Sequence, residues 1–484
     1  MIEPYSAFSG AIGIGSSLLG YVLVSLLSLN AVASLGQSIL QFRAMRPAST
    51  APQKVEERPT FSAEQTFVSV HVPTHEEPPQ LVIATLERLA QLRGPDFEVL
   101  VIDNNTLDPG QWQPVAAAVA RLGPRFRFYH FDDVVGAKAG ALNLALELVD
   151  PRTTHVAIVD ADYHVSPDFL DDAVRAISAQ PVDYVQFPQA YRGVSSSASG
   201  IERELGDYFG CFGASAGRFG SLLPTGTLSV FSLVALREVG GWSSATITED
   251  ADIGVRLHAA GRRGLWLPRE AGTGLLPLDF GGLQKQRARW VAGNVQVLRG
   301  IWRRGRFRDI NDEQLLVIVQ LTAWVSLWLF PAAALALVAM MPSLVAAHAI
   351  VVIAAGTIIG SAILTAARMF VAMPSGDRDW LVWHAAMLTK LALTWTAATA
   401  WLPVLMGREL PFCRTLKQIE SAGGIRLGPA FAASLLFLGV GLVYLTRGNV
   451  IAFLACGLLA AIWPSSLTVD ARLRASAIRN SELA

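Results

Sequence analysis

Cysteine is almost absent from this chain: three occur in 484 residues, Cys211, Cys413 and Cys456. They are too few and too scattered for a disulfide framework or a cysteine metal cluster. Their scarcity suits a domain facing a reducing compartment. Net charge is missing too, since 39 Lys and Arg balance 39 Asp and Glu. That removes the basic footprint of a nucleic-acid binder. Charge of either sign is sparse, at 16%, against 52% hydrophobic residues. There is no Gly-x-x-x-x-Gly-Lys-Ser/Thr phosphate loop and no internal repeat. No basic residue precedes the first apolar run, which is also too long for a typical signal peptide.

The charge that is present lies mostly between residues 43 and 313, with apolar flanks. A soluble domain inserted between membrane segments is the organisation this implies. The expected units are a transmembrane anchor (1–42), a Pro-rich linker (43–66) and a cytosolic domain (67–310). Transmembrane and interface helices (311–407), a cytosolic segment (408–424), further transmembrane helices (425–466) and a cytosolic tail (467–484) follow. Ile12 to Leu29 is long enough to span, and Arg43 and Arg46 come directly after it. The positive-inside rule then puts the N-terminus outside the plasma (inner) membrane and the next domain in the cytosol. Gln320–Met341, Val345–Phe370, Gly428–Thr446 and Val450–Trp463 complete five expected spans. Trp380–Leu402 carries His384, Lys390 and several threonines. It is expected at the interface or against a channel, with Lys390 snorkelling or facing polar neighbours. Were it to span, Arg472, Arg474 and Arg479 would fall outside, against the positive-inside bias. Arg303, Arg304, Arg306 and Arg308 suit a positive-inside anchor or a contact with anionic membrane lipids.

From Phe67 strands alternate with helices. Phe67–Pro73, Phe97–Asp103, Phe126–Phe131, Thr154–Val159 and Asp183–Phe187 read as strands. Pro79–Leu92, Gly136–Val149, Ile201–Phe219, Thr248–His258 and Leu283–Leu298 read as helices, and Thr225-Gly226-Thr227 opens a further strand. The fold class is therefore α/β, a mostly parallel sheet with helices on both faces.

Polar signals sit at strand ends. Thr154–Val159 runs into Asp160-Ala161-Asp162. Ligands of open α/β sheets lie beyond the carboxyl ends of the strands. Two carboxylates there suit a hard cation, Mg²⁺ or Mn²⁺, holding a diphosphate; the alternative is an Asp pair capping a helix. Asp103 ends the second strand, in an Asx turn or a binding role. Thr248-Glu249-Asp250 begins a helix, where Asp250 could answer the helix dipole.

In this order, Asp103-Asn104-Asn105, Asp160-x-Asp162, Thr248-Glu249-Asp250 and Gln286-x-x-Arg289-Trp290 resemble the membrane-bound inverting glycosyltransferases of family 2. That group includes the cellulose, hyaluronan and chitin synthases. The resemblance covers Phe67 to Leu298 and adds a match near residue 412. It implies a glycosyltransferase-A-like, Rossmann-like mixed sheet and transfer of a sugar, glucose or another hexose, from a UDP-sugar. It implies donor binding by Thr74, His75, Glu77, Asp103, Lys138, Asp160, Asp162 and Arg289, with the metal on Asp160 and Asp162 and Asp250 as base. It places the acceptor at Gly226, Thr227, Glu249, Gln286 and Trp290. Two departures stand out. Pro73-Thr74-His75-Glu76-Glu77 puts His75 where the family has an aromatic residue and Glu76 where it has an amide. Thr225-Gly226-Thr227 replaces a Cys-Gly-Ser-like turn.

Three functions remain open. The first is a processive synthase that extends a β-linked polysaccharide and passes it through the membrane, with or without a secretion partner. The second is a transferase adding one sugar to a lipid such as ceramide or diacylglycerol. The third is a transporter or receptor with a non-catalytic domain. Phe412-Cys413-Arg414-Thr415-Leu416-Lys417 resembles the Phe-x-Val-Thr-x-Lys gating loop of cellulose synthases. On that resemblance Phe412, Thr415 and Lys417 would close over the donor, which favours the first.

Overall fold

The computed structural model describes residues 3–44, 66–303, 312–373, 379–408 and 428–483. Phe412, Thr415 and Lys417, the gating-loop-like residues, lie outside them.

Among the described residues ten strands form two sheets. They are β1 (Phe67–Thr74), β2 (Asp96–Asn104), β3 (Phe126–Phe131), β4 (His155–Ile158), β5 (His164–Val165), β6 (Tyr184–Gln186), β7 (Ala190–Arg192), β8 (Ser229–Ser232), β9 (Gly264–Trp266) and β10 (Gly272–Leu275). The main sheet has the order β3-β2-β1-β4-β8-β6-β9. β8 runs antiparallel to β4 and β6, and the other pairings are parallel. The result is the expected α/β sheet, mixed at one strand.

Side chains alternate across a strand, and this sheet is covered on both faces, as parallel sheets usually are. Val68, Val70 and Val72 of β1 and Val99 and Val101 of β2 join one core with Val82, Leu86, Phe169 and Leu170. Leu100 and Ile102 of β2 point the other way, onto Ala141 and Ala145 of the helix Ala137–Glu147. The continuous apolar runs of the sequence are therefore strands buried on both sides.

Three local expectations change. Thr225-Gly226-Thr227 is a turn, and β8 begins at Ser229, because Gly226 (φ +80°) and Leu228 (φ +53°) bend the chain. Ile201–Phe219 is not one helix. It runs as Ser199–Asp207, a π-helical segment Tyr208–Gly213 and Ala214–Arg218. The small sheet β5-β10-β7 had no periodic signature, its strands being two to four residues long.

Among the described residues four helices are long and apolar enough to cross a membrane: Ser17–Arg43, Ala347–Val371, Pro429–Thr446 and Val450–Ile478. The expected span Gln320–Met341 is broken into Asp312–Thr322 and Leu329–Met340. Broken backbone at membrane depth needs internal partners. Here Gln37 donates to the carbonyls of Thr322 (2.6 Å) and Val325 (3.3 Å), and Asn30 to that of Leu327 (3.3 Å). The Ser326 amide donates to the Ala397 carbonyl. Trp380–Leu402 is also interrupted, as Trp380–Ala392 and Thr394–Thr399, with Leu402–Leu405 after them. Its first helix lies close on the α/β domain: a Cβ on Gly200 would fall 2.3 Å from the Ala385 Cβ. The C-terminal helix Ile462–Leu483 continues the last apolar run. There Asp470 accepts the backbone N–H of Phe280 at 2.9 Å.

Candidate active site

The carboxyl ends of β1, β2 and β4 open into one cleft of about 310 Å³. β1 ends in Thr74, His75 and Glu77. β4 ends in Asp160 and Asp162. The turn before β8 adds Gly226, and the helix Ala137–Glu147 adds Lys138 from its first turn. Glu249 and Asp250 come from the start of the helix Glu249–Ala259. Gln286, Arg289 and Trp290 come from the basic helix Phe280–Arg303. These twelve residues, from Thr74 to Trp290 in the chain, all line the cleft. Non-glycine residues with left-handed backbone cluster in the same turns: Glu76 after β1, Asn105 after β2, Ala137 as the first residue of its helix and Leu228 before β8. Strain of this kind concentrates at functional sites.

At the centre, the Lys138 Nζ donates to Asp160 Oδ1 at 2.6 Å and to the Gly226 carbonyl at 2.8 Å. Glu249 Oε1 is 3.7 Å away. Burial would pull the Lys138 pKa down, but Asp160, Glu249 and Asp250 outweigh it and hold it above the usual lysine value. Asp250 is pushed up to about 7, first by burial and then by repulsion from Glu249. Lys138, the Ala251 amide and Arg289 pull against that rise. A carboxylate poised there is matched to proton transfer near neutral pH. Asp252, two residues on, is tied to Arg256 at 2.7 Å and does not line the cleft.

Two expected site residues sit elsewhere. Asp103 is 3% exposed and is not on the cleft wall. Its Oδ1 accepts the hydroxyls of Thr74 and Thr106, both at 2.9 Å, and its Oδ2 meets His130 Nδ1 at 2.7 Å. It ties the ends of β1, β2 and β3 together, and the next residues, Asn104 and Asn105, face the cleft. Thr227 is buried, and its hydroxyl accepts the Asp160 amide at 3.0 Å. It positions Asp160 and does not reach the cleft.

Sequence reasoning missed several supporting groups. Gln186 Oε1 accepts the Thr225 amide (3.0 Å) and its amide nitrogen donates to the Thr227 carbonyl (2.9 Å), so it shapes the Gly226 turn. A glutamine inside the apolar run Tyr184–Phe187 was the available signal. Arg192 Nη1 donates to the carbonyls of Asp162 and Thr273, and the Leu275 amide donates to Asp162 Oδ2 at 3.1 Å. The small sheet therefore holds Asp162. Arg287 is 2% exposed and pairs with Glu204 at 2.5 Å. Its guanidinium lies 4.8 Å from the Trp290 ring centre and 3.9 Å from that of Trp324. Lys390 is 3.5 Å from Glu204, and Arg368 pairs with Asp207 at 2.7 Å.

Beyond Trp290 the cleft adjoins a small void of about 50 Å³ that touches Asp250, Trp290 and Trp324. Trp324 also lines a cavity of about 270 Å³ among the apolar helices, with Gln37, Trp328, Ser361 and His384.

The donor set at Asp160 and Asp162 fits a divalent cation. Both are hard oxygen ligands on one cleft wall, and Asp160 Oδ2 has no hydrogen-bond partner among the described residues. No group of three or more His, Cys, Asp or Glu among the described residues could form a closed metal cage. A cation there would take its remaining oxygens from a diphosphate.

An α/β mixed sheet with this cleft beyond its strand ends is the glycosyltransferase-A-like architecture. The chain belongs to glycosyl transferase family group 2, whose profile matches residues 155–463, and the profile of glycosyl transferase family 2 matches residues 69–223. It is 25% identical over 294 residues to a probable glucomannan 4-beta-mannosyltransferase 7 of Oryza sativa subsp. japonica, covering 59% of this chain and 50% of that protein. It is 26% identical to the UDP-forming cellulose synthase catalytic subunit of Xanthomonas axonopodis pv. citri, covering 48% of this chain and 32% of the other. It is 28% identical to the poly-beta-1,6-N-acetyl-D-glucosamine synthase of Staphylococcus epidermidis, covering 45% and 52%. The chain thus spans about half or less of the length of these relatives. The mannosyltransferase PcManGT from Pyrobaculum calidifontis, solved with GDP-Man and Mn²⁺, aligns with a TM-score of 0.47 and 21% identity, covering 77% of this chain and 99% of that one.

Proposed function

We propose that this chain transfers a hexose, with inversion, from a UDP-sugar to the end of a β-linked polysaccharide and passes the product into the membrane. The observation that carries this reading is that neighbouring spaces share their walls: Asp250 and Trp290 line both the cleft and the small void, and Trp324 lines both the void and the helix cavity. That cavity is mainly apolar, with the amide of Gln37, the hydroxyl of Ser361, the imidazole of His384 and the indoles of Trp324 and Trp328 set among its aliphatic side chains, so that it offers ring faces and a few polar partners to a sugar.

Thr74, His75 and Glu77 hold the nucleoside end of the donor, and Arg289 and Lys138 hold its diphosphate. A planar guanidinium suits phosphate oxygens. Mg²⁺ or Mn²⁺ on Asp160 and Asp162, when bound, neutralises the diphosphate and makes it a better leaving group. Asp250 takes the proton of the acceptor hydroxyl. One base on one face gives single displacement and inversion. Trp290 presents a flat face to the acceptor sugar, and Gln286, Glu249 and the Gly226 turn orient it.

The catalytic domain is read as cytosolic, on the inner face of the plasma membrane. Arg43 and Arg46 after the first apolar run make the domain's side the cytosolic one by the positive-inside rule, and two contacts tie other helix ends to that side. Arg368, near the C-terminal end of Ala347–Val371, pairs with Asp207 of the catalytic domain. Asp470, in the polar second half of the helix Ile462–Leu483, accepts the backbone N–H of Phe280 at the start of the basic helix. Both helix ends therefore lie on the domain's side.

The test supplies radiolabelled UDP-glucose and other nucleotide sugars to the purified full chain in lipid nanodiscs and sizes the product. A long polymer sensitive to a β-glycanase is expected. A chloroform-soluble product would replace the reading with lipid glycosylation.

A further inference from the structure

Lys138 sits where a cation bound to Asp160 would be crowded. Its ammonium is held at 2.6 Å by Asp160 Oδ1 and at 2.8 Å by the Gly226 carbonyl, with Glu249 at 3.7 Å. The Gly226 turn is itself anchored by Gln186, so the ammonium rests in a built cradle. A divalent ion on the same carboxylate would place two like charges a few ångströms apart, in a cleft where screening is weak. The carboxylates proposed for that ion are Asp160 and Asp162, and one oxygen of each already takes a hydrogen bond, from Lys138 and from the Leu275 amide. A diphosphate changes this balance. It brings several negative oxygens, enough to satisfy the ammonium and to complete the shell of the metal.

We propose that Lys138 is an internal cation that occupies Asp160 until a nucleoside diphosphate draws the ammonium away, so that metal and nucleotide sugar bind as a linked pair. This rests on the donor and metal sites proposed above and adds an order to them. Each ligand removes the obstacle to the other: the diphosphate takes the competing ammonium, and the metal neutralises the diphosphate beside Asp160 and Asp162. Linkage makes the effect reciprocal, so metal tightens nucleotide by the same factor as nucleotide tightens metal.

The experiment titrates Mn²⁺ into the full chain in nanodiscs, followed by electron paramagnetic resonance, with and without saturating UDP, and repeats it with GDP. In the wild-type chain the nucleotide should tighten Mn²⁺ by roughly tenfold or more. Lys138→Met should bind Mn²⁺ alone about tenfold more tightly than wild type, and the nucleotide enhancement should shrink to about threefold or less. Lys138→Arg, which keeps a cation, should stay close to wild type for Mn²⁺ alone. Equal Mn²⁺ affinity with and without nucleotide in wild type overturns the proposal. So does an unchanged enhancement in Lys138→Met, while Mn²⁺ binding that is lost in Asp162→Asn would leave the donor-site reading standing. If neither UDP nor GDP binds at any Mn²⁺ concentration, both the linkage and the donor site are wrong.

Discussion

Gly226 lies where any side chain would strike Asp250. A Cβ at that position would fall 2.9 Å from Asp250 Oδ2 and 3.5 Å from Lys138 Nζ, and the residue's φ is +80°. The turn therefore brings backbone against both Asp250 and Lys138, which no residue with a Cβ could do unstrained.

Gly226→Ala should destabilise the domain by about 1–3 kcal/mol, from the left-handed backbone alone. Displacing Asp250 and Lys138 should lower transfer by about a hundredfold. Thermal unfolding and kcat/KM for the donor check the two effects separately. An active Gly226→Ala chain would place the reacting atoms away from this turn.

The raised pKa of Asp250 sets a pH dependence. Below about 7 its carboxyl is protonated and cannot accept a proton. kcat/KM should fall about tenfold per pH unit on the acid side of 7 and level off above it. Asp250→Asn should remove this limb and reduce transfer by about 100- to 10,000-fold. Asp252→Asn weakens only the pair with Arg256 and should keep most of the activity. Interchanged results for the two variants would move the base to Asp252.

Chelation is the third test. Asp162→Asn should cost more than about a hundredfold in transfer, the scale of losing one preorganised electrostatic partner, while its uncharged amide oxygen still accepts the Leu275 N–H. EDTA should stop the wild-type reaction, and added Mg²⁺ or Mn²⁺ should restore it. Full activity in EDTA would show that Lys138 and Arg289 neutralise the diphosphate without a metal.

Glu204 carries a stability prediction. It is buried between Arg287 and Lys390. Glu204→Ala leaves two cations without their carboxylate, at about 3–5 kcal/mol. The Arg287 guanidinium, released from Glu204, would no longer hold Trp290 and Trp324 in place. Yield of folded protein in detergent, and the tryptophan fluorescence of what folds, measure this. A Glu204→Ala chain as stable as wild type would mean that water or lipid screens the pair.

The amino-acid sequence by itself determined the sheet and the order of its motifs. Strands such as Phe67–Thr74 and Asp96–Asn104 are legible because both faces are buried, so their apolar runs are continuous. The paired carboxylates of Asp160 and Asp162 are legible because they end one such run. The apolar flanks announced membrane helices because length and hydropathy suffice for that. Tertiary structure alone decided which polar residues face the cleft. Asp103 and Asp250 look alike in sequence. Sheet pairing places Asp103 among Thr74, Thr106 and His130, and it leaves Asp250 facing Lys138. The break at 323–328 within an apolar run is likewise tertiary, since Asn30 and Gln37, nearly three hundred residues earlier, donate to carbonyls at and beside it. Periodicity reports which face of an element is buried. Partners between elements are set by the order in which strands and helices come together, and no local pattern carries that order.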